Sequence, residues 1–318
     1  MAKKYRRYTV GWVCALPIEL AAAQTMLDEV HKHVSDMYTR YTLGRIGDHN
    51  VVITCLPNGQ TGTKSTIANA VAAKMRSAFR SIRFGLAVGI GGGVPTAEAD
   101  IRLGDVVVSK PRNTNRGVVQ YVSREATPSE FKRTDPLNRP PDILLSAVSR
   151  VEANHPLKLD TIMEHASNFD QLPEFARQNA GPDVLFEADY HHVGEATCEL
   201  CSKERVVERK PRDNQDIVVH YGTIASGNHD MRDGAERDRV SLELGGVFCF
   251  ETVAADLMDS FPCLVIRGIC NYADSHKNTR WQAYAARAAA AYAKQLLSVM
   301  QPDTVPMTGR RGEASNPR

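Results

Sequence analysis

The chain has 318 residues, 42% of them hydrophobic and 24% charged, which excludes collagen, a coiled coil and a mostly disordered chain. Lys+Arg number 39 against 37 Asp+Glu, a net charge of +2, too nearly balanced for a typical nucleic-acid-binding protein. No apolar run reaches the roughly 18 residues that span a bilayer, so no membrane partner is expected. Met1 to Tyr8 is basic and polar, and Pro17 and Glu19 break the apolar stretch after it, so no secretory signal is expected. The chain has seven cysteines, and Cys14, Cys55, Cys249, Cys263 and Cys270 sit in apolar runs. Buried free thiols in a reducing, cytoplasmic compartment are the expectation.

Thr9 to Ala15 is a short apolar run without helical period and predicts a buried strand. Pro17 suits a first helical turn, and Ile18 to Val30 is rich in helix formers. Arg40 to Ile46 and Asn50 to Leu56, separated by Gly47-Asp48-His49, predict a hairpin. Lys64 to Phe79 carries Ile67, Val71, Met75 and Ala78 at helical spacing, after a Thr61-Gly62-Thr63 start. Phe84 to Ile90 predicts a buried strand running into a turn, Gly89-Ile-Gly-Gly-Gly-Val-Pro95, and Asp105 to Ser109 predicts another strand. Residues 110–140 are polar and Pro-rich, hence loop, and Asp142 to Ala153 predicts a helix. Residues 155–215 are charged and irregular and read as an insertion or lid rather than a separate core. Strands are predicted over Ile217 to Ala225, Val247 to Phe250 and Cys263 to Ile269. Helices are predicted over Thr252 to Ser260 and the Ala-rich Arg280 to Met300, which suits close packing in a core or an interface. Residues 301–318 read as a flexible tail or linker.

Continuously apolar strands alternating with helices predict one α/β domain over residues 8–300. Its mixed central sheet would carry helices on both faces. Ligands of such sheets bind at the carboxyl ends of strands. Three segments bring unusual chemistry there: Ala15 to Glu19, Gly89 to Pro95, and Arg267 to Asp274.

The glycines of the second segment allow a ligand close to the backbone, although such turns also merely close loops. The segment is not a dinucleotide fingerprint, since Val94 and Pro95 replace the third Gly and the helix start. Gly59-Gln-Thr-Gly62-Thr-Lys64-Ser65 has glycines too close together for a P-loop. A helix N-terminus with Thr63 and Lys64 can still hold an anion, or simply be a cap and a surface lysine. Glu19 in a first helical turn is ordinary by itself. Glu251 is less so, because it directly follows the apolar run Gly245 to Phe250, and a charge there needs a partner or ligand. Asn271 and Asp274 close the last strand. Polar groups from several strand ends converging on one crevice make an active-site constellation.

Taken in order, Ala-Leu-Pro-Ile-Glu19, Gly89 to Pro95 leading to Leu103-Gly-Asp-Val-Val-Val-Ser109, Ala225-Ser-Gly-Asn228, Phe250-Glu251-Thr252 and Arg267 to Asp274 resemble the purine and uridine phosphorylase superfamily, which includes methylthioadenosine/adenosylhomocysteine nucleosidases. The chain is most similar to fungal phosphorylase-like domains at the front of NACHT-, ankyrin- or TPR-containing immune-receptor-like proteins. The likeness spans residues 8–300. It implies cleavage of an N-ribosidic bond in a purine nucleoside or nucleotide. Glu19 would hold the attacking water, Glu251 would bind the ribose hydroxyls and Phe250 would pack the sugar and base. Asn228 and Met231 fall near the position that reads the base edge, and Gly91 and Gly92 beside the anomeric carbon. The resemblance also implies a homo-oligomer and no catalytic cofactor.

Asn271 stands where adenine-specific members carry an aspartate that protonates N7. An amide hydrogen-bonds but cannot deliver a proton. Three readings stay open: a change that traps substrate, a weakened or silent site acting as a purine sensor, or a preference for 6-oxopurines. Asp274 is the nearest remaining carboxylate and is expected to support the site. The first loop lacks the arginine with which hexameric phosphorylases bind phosphate, so hydrolysis is favoured over phosphorolysis. Adenine nucleotides, ATP first, are the expected substrate, and a triphosphate needs cations. Lys64, Arg102, Lys203, Arg205, Lys210 and Arg212 are candidates, or a solvated charged face. His192, Cys198 and Cys201 supply three-quarters of a zinc site, and unligated thiols or a redox pair are the alternatives.

Overall fold

The structure, a computed structural model, describes residues 5–31, 34–35, 40–57, 63–112, 115–121, 137–194 and 197–301. The candidate tail 302–318 and the segment Gly59 to Gly62 lie outside the described residues.

The chain opens with β1 (Val10–Cys14), every residue of which is buried, and α1 (Pro17–Thr25). The helix stops earlier than its composition suggests. Asp28 accepts the Gly47 N–H at 2.7 Å, which draws the chain to the following hairpin, and β2 (Glu29–Val30) pairs with it instead. After β3 (Val34–Ser35), the hairpin is β4 (Arg40–Ile46) and β5 (His49–Cys55), as its turn residues predict. Helix α2 (Lys64–Ala78) starts at Thr63, whose hydroxyl caps it, and β6 (Phe84–Gly93) follows. Strand β6 is longer than expected. Its glycines are ladder residues rather than a turn, because the last strands of the chain supply their partners.

Strand β7 (Val106–Ser109) is followed by β8 (Val118–Tyr121), inside what composition reads as loop. The element holds because its apolar side chains are buried beside a parallel partner. Helices α3 (Asp142–Asn154) and α4 (Ile162–Ala166) come next. The predicted strand at 217–225 is two strands, β9 (Val219–Gly222) and β10 (Ile224–Gly227), which change partners at Thr223. Helix α5 (Gly234–Glu243) carries little apolar periodicity and escapes a hydrophobic reading. Its start is visible in Asp233, whose side chain accepts the Glu236 N–H at 3.0 Å. The chain closes with β11 (Cys249–Glu251), α6 (Ala254–Ser260), β12 (Cys263–Asn271) and α7 (Gln282–Ser298).

The sheet is mixed. From one edge it runs β2, β4, β5, β1, β6, β11, β10, β8, while β12 pairs with β6 and β7, and β7 with β9. One face packs on α1, α3, α4 and α7, the other on α2 and α6. Helix α7 lies flush on the sheet: a Cβ at Gly268 would sit 1.8 Å from the Ala285 carbonyl oxygen, so only glycine permits that approach. Its alanines serve this core packing. The described residues of 155–215 form no separate core. Ile162, Ala166, Phe169 and Phe175 join the core cluster of β1 and α7, because α4 and the two helical turns at Ser167–Phe169 and Pro173–Phe175 each bury an apolar side chain.

One detail of the sheet makes the site. Strand β1 pairs with β6 only as far as Ala87, and β11 joins at Gly92 and Gly93. Between them the edge of β6 is left to a side chain.

Candidate active site

Glu19 fills that gap. It is the third residue of α1 and is buried. Its Oε1 accepts the Ile90 N–H at 2.8 Å, the group the sheet leaves unpaired. Its Oε2 accepts the N–H groups of Ala15 at 2.6 Å and Leu16 at 2.9 Å, so the carboxylate reaches back over its own helix start. Burial raises the Glu19 pKa, opposed by the Arg267 guanidinium and by these three N–H groups.

Arg267, on β12, is fully buried, and its Nη2 donates to Glu251 Oε2 at 2.6 Å. It stays protonated despite burial because Glu251 and Glu19 both lie near it. Its Nε has no partner among the described residues. Glu251 ends β11 and turns onto the start of α6, accepting the Val253 N–H at 2.9 Å and the Ala254 N–H at 3.0 Å. Two carboxylates thus lie near one guanidinium, leaving one net negative charge when all are ionised. Arg267 escaped the sequence reading as a site residue, since an arginine inside an apolar strand is conspicuous only for its burial.

These groups line a cavity of about 390 Å³, within the range of small-molecule sites. Gly91, Gly92, Phe250, Met231, Asn271 and Lys64 line it too, so most residues named from the sequence come together. Gly92 is pressed against the far wall. A Cβ there would meet the Asn271 Oδ1 and the Ala273 Cβ, both at 2.8 Å. Phe250 is held edge-on by Tyr121, with ring centroids 5.2 Å apart.

Asn271 sits beyond a bulge in β12, where the register with β6 slips at Cys270 and re-aims the strand end. Its Oδ1 accepts the Ala273 N–H at 2.9 Å, and its Nδ2 lies 3.2 Å from the Cys270 sulfur. That N–H donor fixes which end of the amide is oxygen. Ala273 holds a left-handed φ of 52°, costly for a non-glycine residue and located on the cavity wall.

Six expected site residues fall elsewhere. Asp274 does not line this cavity. Its Oδ1 accepts the His276 N–H at 2.9 Å, and it faces a separate cavity of about 100 Å³, because the chain turns away after the bulge. Arg102 lies at another cavity, tied to Asp100 and to the Lys210 carbonyl oxygen at 2.6 Å. Arg205 pairs with Glu187 and Asp189, and Arg212 with Asp105, so both are structural partners far from the cavity lining. Asn228 is also outside the lining, with its Oδ1 buried and unpartnered among the described residues, and Thr63 is occupied as the α2 cap. The cations that do line the cavity with Lys64 are Arg232 and Lys277, alongside His229 and Asp230. Lys277 donates to Asp230 at 2.8 Å. These polar loop residues follow no periodic pattern and gave no signal in the sequence. His192, Cys198 and Cys201 do come together, with ligand atoms all within 4.8 Å of one another.

The comparisons bear on the fold. No protein-family model matches the chain. It is 42% identical over 304 residues to a nucleotide-binding leucine-rich repeat (NLR)-like protein of Hyaloscypha variabilis, covering 94% of this chain and 30% of that protein. It thus spans under a third of that relative's length. It is 24% identical over 297 residues to a 5'-methylthioadenosine/S-adenosylhomocysteine nucleosidase of Mycobacterium bovis, covering 92% and 96% of the two chains. Among solved structures, the Neisseria meningitidis nucleosidase in complex with methylthio-immucillin-A aligns with a TM-score of 0.57 at 15% identity, over 92% of this chain and 99% of that one. The futalosine hydrolase of Helicobacter pylori aligns at 0.59 and 13%, over the same shares. This is the nucleoside phosphorylase/hydrolase fold. Within that fold the Glu19 gap, the β11 end and the β12 bulge all open on one crevice. No helix among the described residues is long and apolar enough to cross a membrane.

Proposed function

We propose that the cavity hydrolyses the N-glycosidic bond of a purine nucleotide or nucleoside, ATP being the preferred substrate, to free base and the ribosyl product. One observation carries this reading: Glu19 is fixed by three backbone N–H groups beside the Arg267–Glu251 pair, at the wall of the main cavity. Glu19 orients a water below C1′ and takes its proton as the C–O bond forms and the C1′–N9 bond breaks. Its raised pKa makes it a stronger base than an ordinary carboxylate. Glu251 accepts from the ribose hydroxyls. The net negative charge of the buried cluster stabilises the oxocarbenium-like sugar as it develops. The purine leaves hydrogen-bonded by Asn271 and takes its proton from solvent, a slower exit than one through a positioned acid.

Two features support hydrolysis of a nucleotide. A carboxylate at the attack position repels inorganic phosphate, and the nearby guanidinium is already engaged by Glu251. Lys64, Arg232 and Lys277 line the cavity with Asp230, apart from the Glu19–Arg267–Glu251 cluster, and this local excess of cations supports a polyphosphate tail there.

A second reading rests on Asn271. With its oxygen held by the Ala273 N–H, its amide offers donors, which match N7 and O6 of a 6-oxopurine. The test is base release from ATP, adenosine, GTP and inosine, with and without phosphate, by this chain and by Asn271→Asp. Phosphate-independent release of adenine from ATP, rising at least ~100-fold in the Asp variant, is the expected result. Preference for inosine or GTP selects the second reading. A strict phosphate requirement overturns hydrolysis, and tight binding without turnover in either form leaves a purine sensor.

A further inference from the structure

Outside the active cavity, one cluster of metal-ligating side chains stands in the irregular strap between α4 and β9. Cys198 opens a single helical turn, Cys198–Leu200, and the Cys201 N–H donates back to the Cys198 carbonyl oxygen at 3.2 Å. The turn brings both sulfurs to the same side as the imidazole of His192. The three ligand atoms lie within 4.8 Å of one another. Bonds of about 2.0–2.3 Å at tetrahedral angles set ligand atoms roughly 3.3–3.8 Å apart, within a small side-chain adjustment of this arrangement. His192 Nε2 lies 3.1 Å from the Thr197 carbonyl oxygen. Donation to that oxygen leaves the imidazole lone pair on Nδ1, and a backbone carbonyl on one ring nitrogen is the usual support of a metal-bound histidine.

A second observation points to the same place. The His276 side chain is 5% exposed, and neither ring nitrogen has a hydrogen-bond partner among the described residues. A buried imidazole with two idle nitrogens calls for an explanation. Its ring stacks on Phe186 with centroids 4.1 Å apart and meets the His192 ring edge-on at 5.5 Å. It shares the small cavity of about 100 Å³ with Cys198. Its Nδ1 is 3.6 Å from Asp274 Oδ2, which places a carboxylate behind the imidazole.

We propose that His192, Cys198 and Cys201 bind a structural zinc ion, with His276, whose ring nitrogens lie outside that 4.8 Å group, turning in as the fourth ligand and Asp274 supporting it. Two thiolates and two imidazoles form a closed set, without the open position that catalysis needs. The ion fastens the strap to the end of β12. The His192 N–H already donates to Ser275 Oγ at 2.9 Å, four residues past Asn271. The metal thereby braces the wall that carries the base-contacting residue. This assignment is independent of whether the cavity turns over substrate.

The test is metal content of the full chain by mass spectrometry after zinc saturation and dialysis, with Cys198→Ser, His276→Ala and the exposed-neighbour control His191→Ala. About one zinc per chain is expected, retained in His191→Ala and lost in Cys198→Ser. Should a variant fail to fold, cobalt(II) replacement in the unaltered chain gives the same answer. Intense visible d–d bands with a thiolate-to-cobalt band in the near ultraviolet mark a tetrahedral site of this kind. A chain that takes up neither metal, its two cysteines titrating as free thiols or a disulfide, overturns the site. A cobalt spectrum unchanged in His276→Ala overturns the fourth ligand.

Discussion

Two regions of the molecule bury a carboxylate against arginine, with opposite results. At Asp105 both oxygens are engaged, Oδ1 by Arg212 Nη1 at 2.5 Å and Oδ2 by three donors. Arg212 donates through Nη2 at 2.7 Å, His220 approaches at 2.9 Å and the Arg102 N–H at 2.8 Å. That cluster borders a cavity of about 210 Å³ but has its charges paired, and it fastens the 209–220 segment to the strand start. At the main cavity the sharing is incomplete. One guanidinium pairs with Glu251 and only neighbours Glu19, an Arg267 N–H is left without a partner among the described residues, and both carboxylates line the cavity. A paired cluster stabilises. An incomplete one holds charge in readiness for something that enters. The sequence cannot separate the two, since each is an Asp or Glu near an Arg at a strand end.

The sharpest way to break this contrast is Glu19→Gln. The amide keeps the size but can neither accept all three N–H groups equally well nor take a proton. It is expected to lower kcat for base release by about 10²–10⁴-fold while KM moves only a few-fold. A loss under tenfold in single-turnover base release removes Glu19 from the chemistry. Next in size is Arg267→Leu, which leaves two buried carboxylates without a counter-charge. About 3–5 kcal/mol of stability should go in urea unfolding. Arg212→Leu should cost less, about 1–2 kcal/mol, because His220 and a backbone N–H still serve Asp105 and Arg212 is partly exposed. Equal losses would mean that the two clusters are the same kind of object.

Much of this was legible beforehand, and unevenly. Strand runs such as Thr9 to Ala15 and Cys263 to Ile269 follow from apolar continuity, the hairpin at Gly47 from its turn residues and Glu251 from a charge closing an apolar run, whereas Glu19, Phe250 and Asn271 are singled out by the family resemblance. What stayed hidden has a common cause. Strand β8 and the glycine half of β6 are strands because distant segments pair with them, and α5 is a helix with hardly an apolar face. Arg267 was concealed by its surroundings, and Arg232 and Lys277 by sitting in loops. Asp274 lies at the neighbouring cavity because β12 ends at Asn271 and the chain turns away before reaching it. Pairing partners and bulges are tertiary facts, absent from any local window.

Two finer predictions concern the incomplete cluster. Gly92→Ala puts a methyl into Asn271 and Ala273, so KM should rise at least ~10-fold and stability fall by about 1–3 kcal/mol, read by steady-state kinetics and urea titration. Wild-type KM in that variant would mean the wall yields freely. The pH profile is the next test. Glu19 must be ionised to act, and burial raises its pKa, so kcat/KM should fall as pH drops through a value above the ordinary carboxylate range. The linkage has the matching sign. Because the folded state holds this proton more tightly than the unfolded one, ionising Glu19 opposes folding, and stability from this group declines as pH rises through that window. An acid limb at or below the usual glutamate value would contradict the raised pKa.

The smallest expected effect belongs to Arg102→Ala, and it bears directly on where a polyphosphate would lie. Arg102 looked from the sequence like a phosphate ligand, yet its guanidinium is spent on the exposed Asp100 carboxylate and on a carbonyl oxygen at a different cavity. An ion pair with one exposed partner contributes about 0–1 kcal/mol, so the unfolding midpoint should barely move. Base release from ATP should change less than about 3-fold, under the ~0.7 kcal/mol that such a factor represents. Lys64→Ala, by contrast, removes a cation from the main cavity and should raise KM for ATP while leaving KM for adenosine unchanged. If Arg102→Ala instead gave that ATP-selective defect and Lys64→Ala gave none, the polyphosphate would lie across the paired cluster, and the division between a fastening site and a working one would fail.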